Sequence, residues 1–178
     1  AVFSSTDGET IKLLVDTTET KDADVKKGKE IVLDLNGKTV TGDMTVSGKL
    51  SLVNSGSTGT INGTLTINNT AEVTIEDGTY TDVVTPAGNK LVPNDDGTLS
   101  LGIDETTAIA EVNGVGYPTI QAAINAAQGQ TITLLKDITL TERLTITTSV
   151  AIDGDGQYSL LKDSSLRTDM ILVSAGGD

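Results

Sequence analysis

The residues with the most chemical potential in this chain are carboxylates at short turns between apolar segments. Within residues 31–84 they include Asp34, Asp43, Glu72, Glu76 and Asp77, which stand mostly at turns. Glu76 and Asp77 are adjacent, and a repeat of about twenty residues would bring them near Asn54, one layer away. A pair of carboxylates can act as the catalytic residues of a retaining or inverting glycoside hydrolase. The alternative interpretation is that these acids are turn and surface residues that keep the protein soluble.

Other residue types that catalysis or metal binding commonly needs are scarce. The chain has no His and no Cys, and its only Arg residues are Arg143 and Arg167. Residues 153–156 read Asp-Gly-Asp-Gly, like the start of a calcium loop, but Ser164 stands where the twelfth position needs Glu. Neither a GxxxxGKS/T phosphate loop nor a GxSxG nucleophile motif is present. We therefore predict no catalytic, cofactor-binding or metal-binding residues, and no cofactor.

The aromatic residues do not point to a sugar-binding site either. The chain has no Trp, and Tyr80, Tyr117 and Tyr158 lie in different segments. Tyr80 falls in a series of inward-facing positions, so we expect it in the core. A glycan site stays open as an alternative.

The elements that would position these residues are short strands that recur along the chain. One series comprises residues 33–35, 50–52 and 73–75, a second 44–46 and 65–67, and a third 39–41, 60–62 and 79–81. The three series keep a constant order, with steps of about twenty residues. A chain that forms three short strands and then repeats them one layer further is a β-solenoid. The sequence therefore predicts an all-β solenoid, with Asn, Asp and Gly at its corners.

The segments around this regular region are less uniform. Residues 17–30 are polar and indicate a surface loop or a poorly regular first coil. Residues 85–103 predict a hairpin that would close the end of the solenoid. Residues 119–128 predict a short capping helix, with Thr119 as N-cap and Gly129 after its end. The apolar face of this helix is Ile120, Ala123, Ile124 and Ala127.

A longer repeat overlies the short one. Residues 8–16 (GETIKLLVD) resemble residues 129–137 (GQTITLLKD), and residues 33–37 resemble residues 152–156. Chance similarity between Thr- and Leu-rich strands is the alternative. We predict a first solenoid module with its closing hairpin over residues 1–103, and a linker with a small hairpin over 104–118. The capping helix and the start of a second module would occupy residues 119–178.

Both ends of the chain look cut through this repeating unit. Val2 and Phe3 fall where the helix face formed by Ala123 and Ile124 would lie, and the chain begins at Ala1 without an initiator Met. We expect a processed protein or a piece of a tandem array. A protomer that completes its core with part of a neighbour is the alternative.

Composition narrows the classes of partner. The net charge is −13, which argues against binding to nucleic-acid phosphates and disfavours anionic membrane surfaces. No run of about 18 apolar residues is present, so we expect no membrane insertion. Aromatic residues make up only 2% of the chain, which suits a narrow column of stacked aliphatic side chains.

Several motifs together resemble a known family. Residues 111–137 read EVNGVGYPTIQAAINAAQGQTITLLKD, residues 31–40 read IVLDLNGKTV, residues 76–80 read EDGTY and residues 94–99 read NDDGTL. These segments resemble modules of large tandem-repeat surface proteins of Gram-positive, often gut-dwelling, bacteria. The resemblance implies a right-handed parallel β-helix of the pectate-lyase-like class, displayed outside the cell. It implies no catalytic set.

We therefore expect a non-catalytic structural or adhesive module, a stalk or spacer of an extracellular bacterial surface protein. One alternative is a carbohydrate-binding or polysaccharide-active module, such as a lyase or hydrolase, on the same scaffold. Another is a self-assembling filament subunit. The expected partners are host or environmental glycans or neighbouring repeat modules.

Overall fold

The computed structural model describes residues 7–19 and 23–174, which form a parallel β-solenoid with one short helix. The chain makes two compact units. The first unit extends to Leu101, apart from Ala87–Asn89. The second unit comprises Ala87–Asn89 and the residues from Gly102 onward. Val2 and Phe3 lie outside the described residues, so their match to the helix face stays a prediction.

Four coils build the first unit. The first holds β1 (Glu9–Lys12), β2 (Thr17–Thr18) and β3 (Ala23–Val25); the second β4 (Glu30–Asp34), β5 (Thr39–Thr41) and β6 (Met44–Val46); the third β7 (Lys49–Val53) and β8 (Thr60–Ile67); and the fourth β9 (Glu72–Ile75) and β10 (Thr79–Val84). β8 spans the positions of both β5 and β6. The expectation that Asn and Gly mark corners is therefore wrong for Asn62 and Gly63. Gly63 lies inside β8, where a Cβ would meet the backbone of Gly42.

Parallel pairing sets the register between coils. Met44 pairs with Leu65 and Thr39 pairs with Thr60, which confirms the second and third strand series. In the first series, the step from residues 50–52 to 73–75 is confirmed, because Leu52 pairs with Ile75. The step from residues 33–35 to 50–52 is wrong by two residues, because Leu33 pairs with Leu52 and not with Leu50. Leu33 and Leu35 both face inward, and a shift of two residues keeps every side chain on its face. The hydrophobic pattern alone therefore could not choose between the two registers.

The described part of residues 17–30 is a coil rather than a surface loop. β2 pairs with β5 and β3 pairs with β6, both in parallel. Ala23 and Val25 are buried on either side of the exposed Asp24, as expected for a strand with one face on the core.

A hairpin follows the fourth coil, as predicted. It consists of β11 (Asn89–Pro93) and β12 (Leu99–Ile103). β12 pairs antiparallel with β9, joining Leu99 to Ile75. The Asn94 amide donates to the Thr98 carbonyl at 2.8 Å, which closes the turn. The hairpin thus covers the β9 edge, which would otherwise present unpaired backbone groups.

The second unit begins with a hairpin and the helix, followed by two coils. Its elements are β13 (Ala110–Val112), β14 (Val115–Tyr117), α1 (Ile120–Ala127), β15 (Thr131–Leu134), β16 (Ile138–Leu140), β17 (Leu144–Ile146), β18 (Ala151–Asp153), β19 (Leu160–Lys162) and β20 (Ile171–Val173). β18, β19 and β20 pair in parallel with β15, β16 and β17. Asn113 and Gly114 make the β13–β14 turn with φ of 51° and 77°, as the Asn-Gly pair predicts.

Helix α1 forms as its end signals predict. The Thr119 hydroxyl accepts the Ala122 amide at 3.1 Å, and the helix ends at Ala127 before the left-handed Gln128 and Gly129. Its buried face contacts β13, β14, β15 and β17. The helix therefore covers the first coil of the second unit on the side opposite to β18–β20.

The two units share one coil plan, which supports the longer repeat. Ile11 pairs with Leu33 in the first unit, and Ile132 pairs with Ile152 at the equivalent place in the second. One difference between the equivalent second coils is the link between their last two strands. It comprises residues 42–43 between β5 and β6, but residues 163–170 between β19 and β20.

Each unit has its own core of stacked aliphatic side chains. The first is centred on Leu33, Leu52, Ile61, Leu65 and Ile75, each fully buried. The second is formed by the buried face of α1 together with residues such as Ile132, Leu134 and Leu140. Removal of these side chains from water is the main force that holds such coils together.

Candidate functional site

The corner carboxylates are bonded from coil to coil. Four of these acids each accept a backbone amide of the next coil. The bonds run from the Thr39 amide to Asp16 at 2.8 Å, from the Ser55 amide to Asp34 at 3.0 Å, from the Thr64 amide to Asp43 at 2.8 Å and from the Ser159 amide to Asp137 at 2.9 Å. In each bond the acid and the amide are 21 to 23 residues apart, which is one coil. An ionised carboxylate that receives a backbone N–H makes a comparatively strong hydrogen bond. These acids therefore join successive coils at their corners.

Glu76 lies beside Asn54, as the repeat predicts, but their contacts are structural. The Glu76 carboxylate accepts the Asn54 backbone amide at 2.6 Å. The Asn54 side chain donates to the Asp77 carbonyl at 2.7 Å and accepts the Gly59 amide at 2.8 Å. The arrangement can hold three corner segments together. The Glu76 carboxylate is hydrogen-bonded to a backbone amide. A catalytic carboxylate of a hydrolase would instead have to face the substrate.

Asp34 is the one corner acid that is nearly fully buried among the described residues, with 4% of its surface exposed. Its Oδ1 accepts the Asn36 and Ser55 amides, and its Oδ2 accepts the Ser55 hydroxyl. Lys12 Nζ lies 3.6 Å from Oδ2 and donates to Ser55 Oγ at 2.7 Å. Burial alone would raise the pKa of Asp34. The bonds from Ser55 and Asn36 and the Lys12 charge outweigh burial and hold the pKa below its ordinary value of 3.8.

The position of Asp34 at a predicted turn gives no indication of this burial. The signal was its place beside the inward-facing Leu33 and Leu35, at the end of a strand where the corner folds over it. Lys12, Asp34 and Ser55 come from three successive coils, so only the correct register brings them together. In this cluster the three polar side chains supply one another with hydrogen-bond and charge partners.

The three Tyr residues have different environments. Tyr80 packs against the first core, and its hydroxyl donates to the Glu76 carbonyl at 2.9 Å. Burial, with the Asp77 and Glu76 charges, raises the pKa of Tyr80 to about 12. Tyr117 is buried in the second core, whereas Tyr158 is 36% exposed. Within the described residues these side chains therefore form no common stacking face.

The Asp-Gly-Asp-Gly segment forms a turn. Asp153 Oδ1 accepts the Asp155 amide at 2.9 Å, and the Tyr158 amide donates to the Gly154 carbonyl at 2.8 Å. Asp155 and Gly156 have φ of 52° and 66°, which Asp and Gly tolerate better than most residues. Over residues 7–19 and 23–174 no group of three His, Cys, Asp or Glu side chains stands ready to hold a metal ion.

A cleft at another corner of the first unit is the best candidate for binding. It has a volume of about 410 Å³ and lies where the turns before β4, β7 and β9 stack. Its charged lining residues are Asp7, Lys27, Lys29, Glu30, Lys49 and Glu72. Hydroxyl groups of Ser47 and Thr70 also line it. The cleft thus offers donors and acceptors of both charges to a polar ligand.

Alternating charges run along one ladder of this cleft. Glu30 pairs in register with Lys49, and Lys49 pairs with Glu72. Lys49 Nζ lies 2.9 Å from Glu30 Oε1, and this bond and the Glu30 and Glu72 charges raise the pKa of Lys49. Gly48 at the base of the cleft has no room for a side chain, because a Cβ would meet the Lys26 and Lys29 carbonyls. The cleft was not apparent from the sequence, although its charged residues stand just before strands or at the first residue of a strand.

A scan against protein-family models, a search of curated proteins and a search of solved structures each found no match. Among the described residues, the single helix is too short to cross a membrane.

Proposed function

We propose that this protein is a non-catalytic structural module, a stalk or spacer of an extracellular bacterial surface protein. The observation that carries the proposal is the use of the corner carboxylates. Asp16, Asp34, Asp43 and Asp137 each accept a backbone amide of the next coil, so they reinforce the stack. The motifs in residues 31–40 and 111–137, which resemble tandem-repeat surface modules, support the extracellular location.

The coil plan suits a role in which the protein carries load. In the first unit, backbone ladders join β1 to β4, β4 to β7 and β7 to β9. A force that separates coils must break a whole ladder and its corner bonds together. It must also expose aliphatic side chains that are buried between coils.

Two measurements test this role. Antibodies against the protein should label intact cells of the source bacterium, and external protease should remove the label. A screen of purified polysaccharides should show no cleavage by the protein at any pH from 4 to 9. Protein found only inside the cell, or reproducible polysaccharide turnover, would contradict the proposal.

The corner cleft favours glycan binding as a second function. Its volume of about 410 Å³ is in the range of small-molecule sites, and its Lys and carboxylate groups can bond sugar hydroxyls. A glycan array should give a saturable hit that is lost in Lys29→Ala and Lys49→Ala. Lys38→Ala, at a different corner, is the matched control and should keep the hit. An array without any specific hit would contradict this second function.

A further inference from the structure

The corner cleft of the first unit is lined without any aromatic side chain. Its lining residues are all charged, hydroxyl-bearing or glycine. Aromatic rings supply large contact areas at binding surfaces, and a neutral sugar depends on such a ring to pack its face against. A ligand of this cleft must therefore gain its affinity from charge and hydrogen bonds.

The acidic side chains of the cleft stand beside groups that balance them. Asp7 Oδ1 accepts the Glu30 backbone amide at 2.8 Å, and Glu30 Oε1 lies 2.9 Å from Lys49 Nζ. Glu72 is the neighbour of Lys49 in register on the next strand. The Lys49 ammonium thus lies between two carboxylates and is not the group that would attract an anion.

Two other ammonium groups of the cleft are not balanced in this way. Lys27 and Lys29 make no ion pair or side-chain hydrogen bond with residues 7–19 and 23–174. A tight turn presents them, since the Lys29 amide donates to the Lys26 carbonyl at 3.0 Å and Gly28 has φ of 78°. Both side chains are exposed and line the cleft. Two such cations favour an anionic group by simple Coulomb attraction.

Groups that can bond hydroxyls line the same cleft. Ser47 Oγ accepts the Asn68 side-chain amide at 2.7 Å, which leaves its own O–H able to donate. The Glu72 carboxylate accepts no hydrogen bond from the described residues, so its oxygens can receive a ligand hydroxyl. The cleft therefore combines a site for one anionic group with a donor and an acceptor for hydroxyls.

From this combination we infer that the cleft binds a carboxylated sugar, free or at the end of a glycan chain. Lys27 and Lys29 bind its carboxylate, and Ser47 and Glu72 bond its ring hydroxyls. A long polyanion fits less well, because a protein of net charge −13 repels the rest of such a chain. The inference rests on the glycan-binding function proposed above and names the class of sugar.

The test is a titration of the full ¹⁵N-labelled chain followed by NMR, with sodium glucuronate as the probe. Glucose, which has the same ring without the carboxylate, is the matched neutral sugar. We expect saturable shifts of the Gly28 and Gly48 amides, and binding of glucose at least about tenfold weaker. Glucuronate binding should also weaken between 10 mM and 150 mM NaCl, because salt screens exposed charges.

Substitutions within one turn separate the proposed contacts from general charge. Lys27→Gln and Lys29→Gln should each weaken glucuronate binding by about threefold to tenfold. Lys26→Gln removes the same charge from the same turn but lies outside the lining of the cleft, and it should bind within about twofold of the parent. Because the three side chains are exposed, each variant should keep the circular dichroism spectrum of the parent.

Several results would overturn the inference. They are no shifts with glucuronate, equal binding of glucose, and an equal loss in Lys26→Gln. Acetate or inorganic phosphate that bound as tightly as glucuronate would overturn it too, since the cleft would then be a general anion site. A neutral glycan that binds on the array while glucuronate fails would leave the glycan-binding function standing. The cell-surface and cleavage tests of the structural role are independent of all these results.

Discussion

Asp34 shows how a carboxylate can look reactive in a sequence and be structural in the fold. Its two oxygens are occupied by Ser55, Asn36 and the nearby Lys12 ammonium. The substitution Asp34→Asn would be mild if the side chain pointed outward. That condition is not met, because Asp34 is buried.

Replacement of Asp34 should therefore destabilise the first unit. Asp34→Ala leaves two backbone amides and a hydroxyl without an acceptor and should lower the free energy of unfolding by about 1–3 kcal/mol. Asp34→Asn keeps one acceptor oxygen and should cost less. Chemical denaturation at pH 7 measures both. Asp24→Ala, on the exposed face of β3, is the matched control, and an equal loss in it would contradict the prediction.

The effect of Asp34 should depend on pH. Its pKa is lower in the folded protein than the ordinary value of 3.8, so the folded state favours the ionised form. The resulting stabilisation is complete above the unfolded pKa and is lost as the pH falls through the folded pKa. The stability difference between the parent and Asp34→Asn should thus shrink as the pH falls below about 4. A constant difference from pH 7 to pH 2 would contradict this.

At the scale of the element, strand type was predictable and strand register was not fully so. The alternation of Ile31, Leu33 and Leu35 identifies a strand with a buried face, but it does not say which two of them meet Leu50 and Leu52. The register depends on how the corner turns, which is a tertiary property. Helix α1 was predictable because Thr119 and the left-handed Gln128–Gly129 turn act locally.

The candidate site was the least predictable part. The cleft depends on Lys29 and Lys49 coming from different coils and lying side by side. The proximity of Glu76 to Asn54 was predictable, since one coil step relates them. The burial of Asp34 was not, because it depends on how residues 53–55 close over the corner.

A charge placed in the aliphatic column should unfold the first unit. Leu52 and Ile75 are fully buried and pair with each other in register. Leu52→Asp or Ile75→Asp would place an unpaired carboxylate in an apolar environment. We expect loss of the thermal transition of the first unit by calorimetry. Ser51→Asp, on the other face of β7, is the control and should still melt cooperatively.

The helix end offers a stabilising change. Gln128 has φ of 43°, a left-handed conformation that Gly adopts with less strain. Gln128→Gly should raise the free energy of unfolding of the second unit by a few tenths to about 1 kcal/mol. Gln130→Gly, two residues beyond, is the control and should give no gain. A loss of stability in Gln128→Gly would show that its side chain has a role of its own.

At the scale of the whole molecule, charge is the dominant property. A net charge of −13 on 178 residues produces repulsion that opposes compaction. Salt screens this repulsion, so the melting temperature at pH 7 should rise between 10 mM and 150 mM NaCl, where the screening length falls from about 30 Å to about 8 Å. Differential scanning calorimetry measures the shift. An unchanged or lower melting temperature would show that attractive ion pairs outweigh the repulsion.

The unequal link between the last two strands of the second coil has a practical consequence. The link comprises residues 42–43 in the first unit and residues 163–170 in the second. In both units the two strands that it joins still pair with the coil before them, namely β5 and β6 in the first unit and β19 and β20 in the second. Length at this position is therefore uncoupled from the architecture of the stack. Evolution or a protein engineer can exchange residues within the 163–170 link for a recognition loop and keep the pairing of β19 and β20 with the coil before them.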